Sequence, residues 1–230
     1  MIARNVADIR EKIAIAARKS GREPDEIKLV GVTKTIDAGR IKELLAVGVT
    51  DIGENRVQEF LPKYEHFQGE SLKPKSWHFI GHLQRNKVKF IIDKVDLIHS
   101  VDSLSLAEEI NKQAKKIGRV INILVEINIA GETSKFGIRP DEAKSFAESL
   151  KIMENIQFSG LMCVPPFVEN SEENRRMFEK MRDLSVDISN HSSYDRGHLE
   201  LSCGMTGDFS EAIESGATIV RIGTALFGNR

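Results

Sequence analysis

The chain has 230 residues, of which 33 are basic and 34 acidic, for a formal net charge of −1. This length suits one α/β barrel with a large core, and the charge balance lacks the basic excess of a nucleic-acid-binding surface. No run approaches the roughly 20 apolar residues of a membrane span. Charges at Arg4, Asp8, Arg10, Glu11 and Lys12 leave no secretory signal. The two cysteines, Cys163 and Cys203, form no CxxC pattern and read as small buried hydrophobes in apolar runs. The composition predicts a soluble, cytoplasmic protein without membrane or nucleic-acid partners. The basic stretch Gln84–Lys89 reads as the solvated side of a helix.

In chain order, Ile2, Val6, Ile9, Ile13 and Ala16 are spaced by four and three, which predicts an N-terminal helix stopped near Gly21. Strand patterns follow at Lys28–Lys34, Asp51–Glu54, His78–Gly81, Leu97–Val101, Asn122–Asn128, Gln157–Val164, Leu199–Cys203 and Thr218–Gly223. Helical patterns lie between them. Asp37 caps a helix that ends near Gly48. Asn55–Phe67 is helical with Pro62 expected to kink or shorten it. Gln84–Lys94 follows, and then Ser103 caps Leu104–Ile117. Pro140 takes a first-helical position with Asp141 and Glu142 in the first turn. Ser171–Ser185 and Asp208–Ser215 complete the set.

Eight strands alternating with helices predict a single (β/α)8 TIM barrel over residues 1–230, with the additional N-terminal helix covering its bottom or side. The alternative, an open doubly wound sheet, usually carries GxGxxG after its first strand. That motif is absent, as is a Walker-type loop.

In a barrel, function gathers where strands end at their C-termini. Lys34 closes the first strand pattern on the same face as Val30 and Val32. A desolvated amine there is a nucleophile suited to Schiff bases with aldehydes; a lysine snorkelling to solvent is the bland alternative. The seventh strand runs into Leu201-Ser202-Cys203-Gly204-Met205-Thr206-Gly207-Asp208, whose glycines and hydroxyls suit an anion. The eighth gives Val220-Arg221-Ile222-Gly223-Thr224. Loops after strands seven and eight often hold a phosphate in this fold. Arg221 has the parity of Ile219 and Gly223. If it points inward, it needs either a carboxylate from Glu126, Glu54 or Glu200, or the polar edge of a ligand. An amine, an anion cradle and an inward arginine together suit pyridoxal 5′-phosphate, an aldehyde and a phosphate on one ring.

Several stretches carry a family resemblance across nearly the whole chain. They are Trp77-His78-Phe79-Ile80-Gly81-His82-Leu83-Gln84-Arg85-Asn86-Lys87, Gly53-Glu54-Asn55-Arg56-Val57-Gln58-Glu59, Val32-Thr33-Lys34-Thr35 and the two C-terminal loops. The chain resembles the pyridoxal phosphate homeostasis proteins, related in fold to the barrel domain of alanine racemase. The resemblance implies Lys34 as the Schiff-base lysine holding the internal aldimine. It implies Ser202, Met205, Thr206, Gly223 and Thr224 at the phosphate, Arg221 at the pyridine nitrogen and Asn55 beside the ring. Cys203 and Thr206 stand where the family more often has Met and Ser; Thr keeps the hydroxyl and Cys an apolar side chain.

The resemblance further implies a carrier and buffer of the cofactor that passes it to apo-enzymes and affects amino-acid and keto-acid balance. An arginine at the pyridine nitrogen cannot accept a hydrogen bond, so it keeps that nitrogen unprotonated and weakens the electron sink. Alanine racemases add a tyrosine from a separate β-domain across a dimer. Here there are only Tyr64, in a helical pattern, and Tyr194, in a loop. The expectation is therefore a non-enzymatic protein, and the missing dimer-forming domain favours a monomer. An amino-acid racemase of the alanine racemase type is the alternative, and an aldolase without cofactor stands behind it. His78 and His82, four apart, read as packing or hydrogen bonding to backbone rather than metal ligation, and Trp77 reads as packing.

Overall fold

The computed structural model describes residues 1–132, 135–166, 171–191 and 199–228. Eight parallel strands close in sequence order: β1 (Lys28–Val32), β2 (Asp51–Glu54), β3 (Ser76–Phe79), β4 (Leu97–Val101), β5 (Ile121–Glu126), β6 (Ile156–Met162), β7 (Glu200–Ser202) and β8 (Ile219–Ile222). β8 pairs with β1 through Lys28–Ile219 to Gly31–Ile222, so no strand is left as an edge. The expected (β/α)8 barrel is thus observed.

The helices form the outer layer: α1 (Ile2–Lys19), α2 (Ala38–Ala46), α3 (Val57–Gln68), α4 (Val88–Ile91), α5 (Leu104–Lys116), α6 (Ala143–Leu150), α7 (Ser171–His191), α8 (Phe209–Glu214) and α9 (Thr224–Phe227). Two cores result. The larger lies between sheet and helices and includes Ile52, Ile98, Ile123, Val220 and Ile222. The smaller fills the barrel with Val30, Leu97, Leu124, Met162 and Ile219. The strand alternation separates them, since Ile219 points inward and its neighbour Val220 outward.

α1 buries Ile2, Val6, Ile9, Ile13, Ala16 and Ala17 against α8 and α9, and Gly21 ends it at φ +72°. Asp37 caps α2, its carboxylate accepting from Arg40 N at 3.1 Å. Pro62 sits inside α3 without ending it. β3 brings Trp77 against Phe60, Tyr64 and Phe67 of α3, which assigns Trp77 and Tyr64 to an aromatic cluster outside the barrel.

Some elements differ from expectation. The Gln84–Lys94 helix is a 3-10 turn at Arg85–Lys87 followed by the single turn of α4. Ser103 precedes α5 but its hydroxyl caps no backbone N–H. α6 begins at Ala143 rather than Pro140. Pro140 lies in a turn in which Glu142 N donates to Arg139 O, and the exposed Arg139 and Asp141 side chains pair across it. α9 was not expected from the sequence.

Truncating Ile9→Ala should cost about 2–5 kcal/mol in a urea melt without changing the chemistry at the far rim, because Ile9 packs only in the outer layer.

Candidate functional site

β1 ends at Val32, two residues short of the expected strand, and the chain turns at once: Ile36 N donates to Thr33 O. Lys34 occupies this turn. Thr35, next to it, has φ +62°, a conformation a β-branched residue rarely adopts. Strain of about 1–2 kcal/mol persists only where neighbours hold it. The neighbours are Glu59 and Lys63 of α3. Thr35 N donates to Glu59 Oε2 at 2.5 Å, and Lys63 Nζ donates to Thr33 O at 2.6 Å. Lys63 also donates to Glu54 Oε1 at 2.6 Å, and Thr33 Oγ1 donates to the same oxygen.

Glu54 is wholly buried, and Glu54 Oε2 has no hydrogen-bond partner among the described residues. Its pKa is raised because burial outweighs the bonds from Lys63 and Thr33. A ring of charge outside the barrel therefore fixes the turn that carries Lys34.

Val32, Lys34, Asn55, Ile80, Gly81, Val164, Met205, Thr206, Gly207, Arg221, Gly223 and Thr224 line one cleft of about 720 Å³ at the C-terminal rim. Gly81 permits the approach of β3 to Asn55, because a Cβ there would lie 2.4 Å from Asn55 O. Asn55 Oδ1 is a buried acceptor without a partner among the described residues. The loop after β7 is closed by Met205 N donating to Asp208 Oδ1 at 2.6 Å, and Ala225 N donates to Thr206 Oγ1 at 3.3 Å, which ties that loop to α9.

Arg221 points inward, as its parity predicted, and is 4% exposed. None of the three carboxylates considered holds it. Nη1 donates to Ser202 O at 2.6 Å and Ser202 Oγ at 2.5 Å, and Nη2 donates to Cys163 O at 2.9 Å. The remaining guanidinium donors are left for the cleft. Glu54 is on the outer face with Lys63, and Glu200 is engaged by Thr218 and Lys28. Glu126 keeps its proton up to a pKa of about 7, first because it is buried, then because Asp102 is negative nearby, with Arg221 opposing both.

Of the sequence-predicted site, Lys34, Asn55, Met205, Thr206, Arg221, Gly223 and Thr224 meet in the cleft. Ser202 does not line it. It is fully buried, with Ser202 Oγ engaged by Arg221 and by His99 Nδ1 at 2.9 Å, so its place is beneath the arginine. His78 and His82 bond side chains rather than backbone: His78 bonds Asp51 and His99, while His82 bonds Asp102 at 3.1 Å and stacks on Phe136. No group of three potential metal ligands occurs among the described residues. Tyr194 falls outside the described residues. Cys163 and Cys203 are buried and reduced, with their sulfurs 3.4 Å apart.

The donor set fits a phosphorylated aldehyde: one amine, one inward guanidinium, one unsatisfied amide oxygen and two loop hydroxyls share a cleft of small-ligand size. The profile of the family described as "Alanine racemase, N-terminal domain" matches residues 5–230. The pyridoxal phosphate homeostasis protein of Aquifex aeolicus is 45% identical over 222 residues, covering 96% of this chain and 95% of that protein. The chain belongs to the pyridoxal phosphate homeostasis protein family.

The family member from Escherichia coli K12 is 38% identical over 229 residues, covering 100% of this chain and 97% of its own. The structure of PipY from Synechococcus elongatus PCC7942 with PLP bound superimposes with a TM-score of 0.86 at 31% identity, over 99% of this chain and 100% of that one.

Two outcomes follow. Lys63→Met strands the Glu54 carboxylate and should cost about 3 kcal/mol or more in chemical denaturation at pH 8, and Glu54→Gln in the same background should recover much of the loss. Glu126 has a folded-state pKa above its unfolded value, so its ionisation opposes folding increasingly from about pH 4.5 to 7. Glu126→Gln should stabilise the cofactor-free protein by about 3 kcal/mol above pH 7 and by nothing below pH 4.5, read from denaturation midpoints across that range.

Proposed function

We propose that this protein binds pyridoxal 5′-phosphate covalently and reversibly through Lys34 and acts in cofactor homeostasis, as a carrier and buffer rather than a catalyst. The observation that carries the reading is the convergence of Lys34, Asn55 and Arg221 on one cleft with Thr206 and Thr224. The family relatives, and the PLP-bound PipY structure, support it. The cofactor supplies an aldehyde for the covalent link and a ring that can withdraw electrons.

Each residue then has a task. Lys34 Nζ is the nucleophile, and the Glu59–Lys63 brace keeps its turn in place. Thr206, Thr224 and the backbone at Met205 and Gly223 receive the phosphate. Asn55 lies along the ring edge, where its unpartnered Oδ1 accepts a hydrogen bond. Arg221 faces the ring nitrogen and, having only donors, keeps a proton off it. Ser202 supports Arg221 from below.

The absence of catalysis is supported by Arg221 at the nitrogen position and by Tyr64, which lies in the outer aromatic cluster and so supplies no acid or base to the cleft. The reading also places the protein in the cytoplasm as a monomer, one domain over residues 1–230, with apo pyridoxal-phosphate enzymes as recipients. No helix among the described residues is long and apolar enough to cross a membrane.

Purified protein mixed with pyridoxal 5′-phosphate should develop a visible absorption band that Lys34→Ala abolishes, and should show no turnover on a panel of L- and D-amino acids. Holo-protein should restore activity to an apo pyridoxal-phosphate enzyme. Robust racemisation would replace the carrier by the racemase reading, and a protein that never binds the cofactor would defeat both.

A further inference from the structure

The barrel interior holds a line of polar residues that the cleft does not use. His99 Nδ1 lies 2.9 Å from Ser202 Oγ, His99 Nε2 lies 2.8 Å from His78 Nδ1, and His78 Nε2 lies 3.2 Å from Asp51 Oδ1. With Arg221 at its upper end, the line runs through β8, β7, β4, β3 and β2 and finishes at the first residue of β2, at the opposite end of the barrel. His78, His99 and Ser202 are each no more than 1% exposed. Barrel interiors are ordinarily filled by branched apolar side chains, as the layer of Val30, Leu97, Leu124, Met162 and Ile219 is here. Burying three polar side chains and a guanidinium is no route to extra stability.

One direction satisfies every bond of the line without an added proton. Arginine only donates and an ionised aspartate only accepts. Ser202 Oγ accepts from Arg221 Nη1, so its own hydrogen goes to His99 Nδ1. His99 then carries its proton on Nε2 and donates to His78 Nδ1, and His78 carries its proton on Nε2 and donates to Asp51. Both rings are neutral in this arrangement. For His99, burial first and then the charges of Arg221 and Lys28 hold the pKa well below its usual value. The reversed direction needs an extra proton on His78 or Asp51, and it would leave the Ser202 hydroxyl hydrogen without its acceptor.

We propose that His99 and His78 are positioning residues for the cofactor: through Ser202 they hold the Arg221 guanidinium in the orientation that faces the ring nitrogen, and Asp51 anchors the chain from the far mouth of the barrel. This rests on the binding reading given above. Among the described residues Arg221 makes no salt bridge, so its orientation is set by neutral oxygen acceptors, and His99 pins the Ser202 hydroxyl by taking its hydrogen, which leaves the oxygen's lone pairs to Arg221. Replacing His99 by an apolar residue leaves that hydrogen without its acceptor and Ser202 Oγ unpinned, so the guanidinium loses a fixed acceptor.

The test has two arms. The first needs no cofactor. In ¹⁵N-histidine-labelled protein, long-range ¹H–¹⁵N spectra should show both His78 and His99 as the neutral tautomer protonated on Nε2. An Nδ1–H tautomer or a charged ring on either would overturn the directional chain.

The second arm uses pyridoxal 5′-phosphate itself. His99→Leu should fold, as judged by an undiminished thermal midpoint, yet bind the cofactor about tenfold more weakly with a displaced visible band. His99→Gln, which retains one acceptor and one donor, should recover most of both. Equal affinity and an unmoved band in His99→Leu would reject the positioning role while leaving cofactor binding intact. Should His99→Leu fail to fold, Asp51→Ala at the exposed end serves as the second variant: the same band displacement supports the chain, and an unchanged band rejects it. Wild-type protein that does not bind at all would instead reject the underlying binding reading.

Discussion

A guanidinium buried inside a parallel barrel constrains everything else in this molecule. Arg221 cannot lose its charge, and among the described residues no carboxylate neutralises it at contact distance. Its cost is met by carbonyl and hydroxyl oxygens of β6 and β7, so those strands must present Ser202 and Cys163 O at one level. Closure of the barrel through the β8–β1 register then places Lys34 on the rim beside it. Below the cleft, the inner apolar layer shares the interior with the line of His99, His78 and Asp51.

Two separate networks serve the two reactive groups. Lys34 is held from outside the barrel by α3, through Glu59, Lys63 and the buried Glu54, which together sustain the left-handed Thr35. Arg221 is held from inside by Ser202 and, behind it, His99. The networks share no residue, so the amine and the guanidinium can be perturbed independently. Under the proposed carrier role, this separation would let the covalent anchor and the ring contact be altered one at a time.

Much of the architecture was legible in the chain because the signals were periodic. Val30, Val32 and Lys34 share one parity on the first strand and Ile219 and Arg221 share one on the eighth, and the barrel turns both sets inward. The glycine–hydroxyl loops were legible by composition. The brace of Lys34 was not, because Glu54, Glu59 and Lys63 look like ordinary surface charges until β2 and α3 are packed together. Ser202 was assigned to the phosphate through the resemblance, although the parity of Leu201-Ser202-Cys203 already placed its side chain inward, beneath the rim. His99 went unremarked inside an apolar strand, where an inward polar residue on the same parity as Leu97 was the available signal. At Pro140 the chain closes a turn through Glu142 N and Arg139 O before the helix begins, and the Gln84–Lys94 pattern resolved into two short turns.

The central claim is a carbon–nitrogen bond between Lys34 Nζ and the aldehyde of pyridoxal 5′-phosphate. Borohydride reduction of protein saturated with the cofactor, followed by peptide mass spectrometry, tests it most directly. A phosphopyridoxyl adduct should appear on the peptide containing Lys34. An unmodified Lys34 peptide from saturated, reduced protein would contradict it.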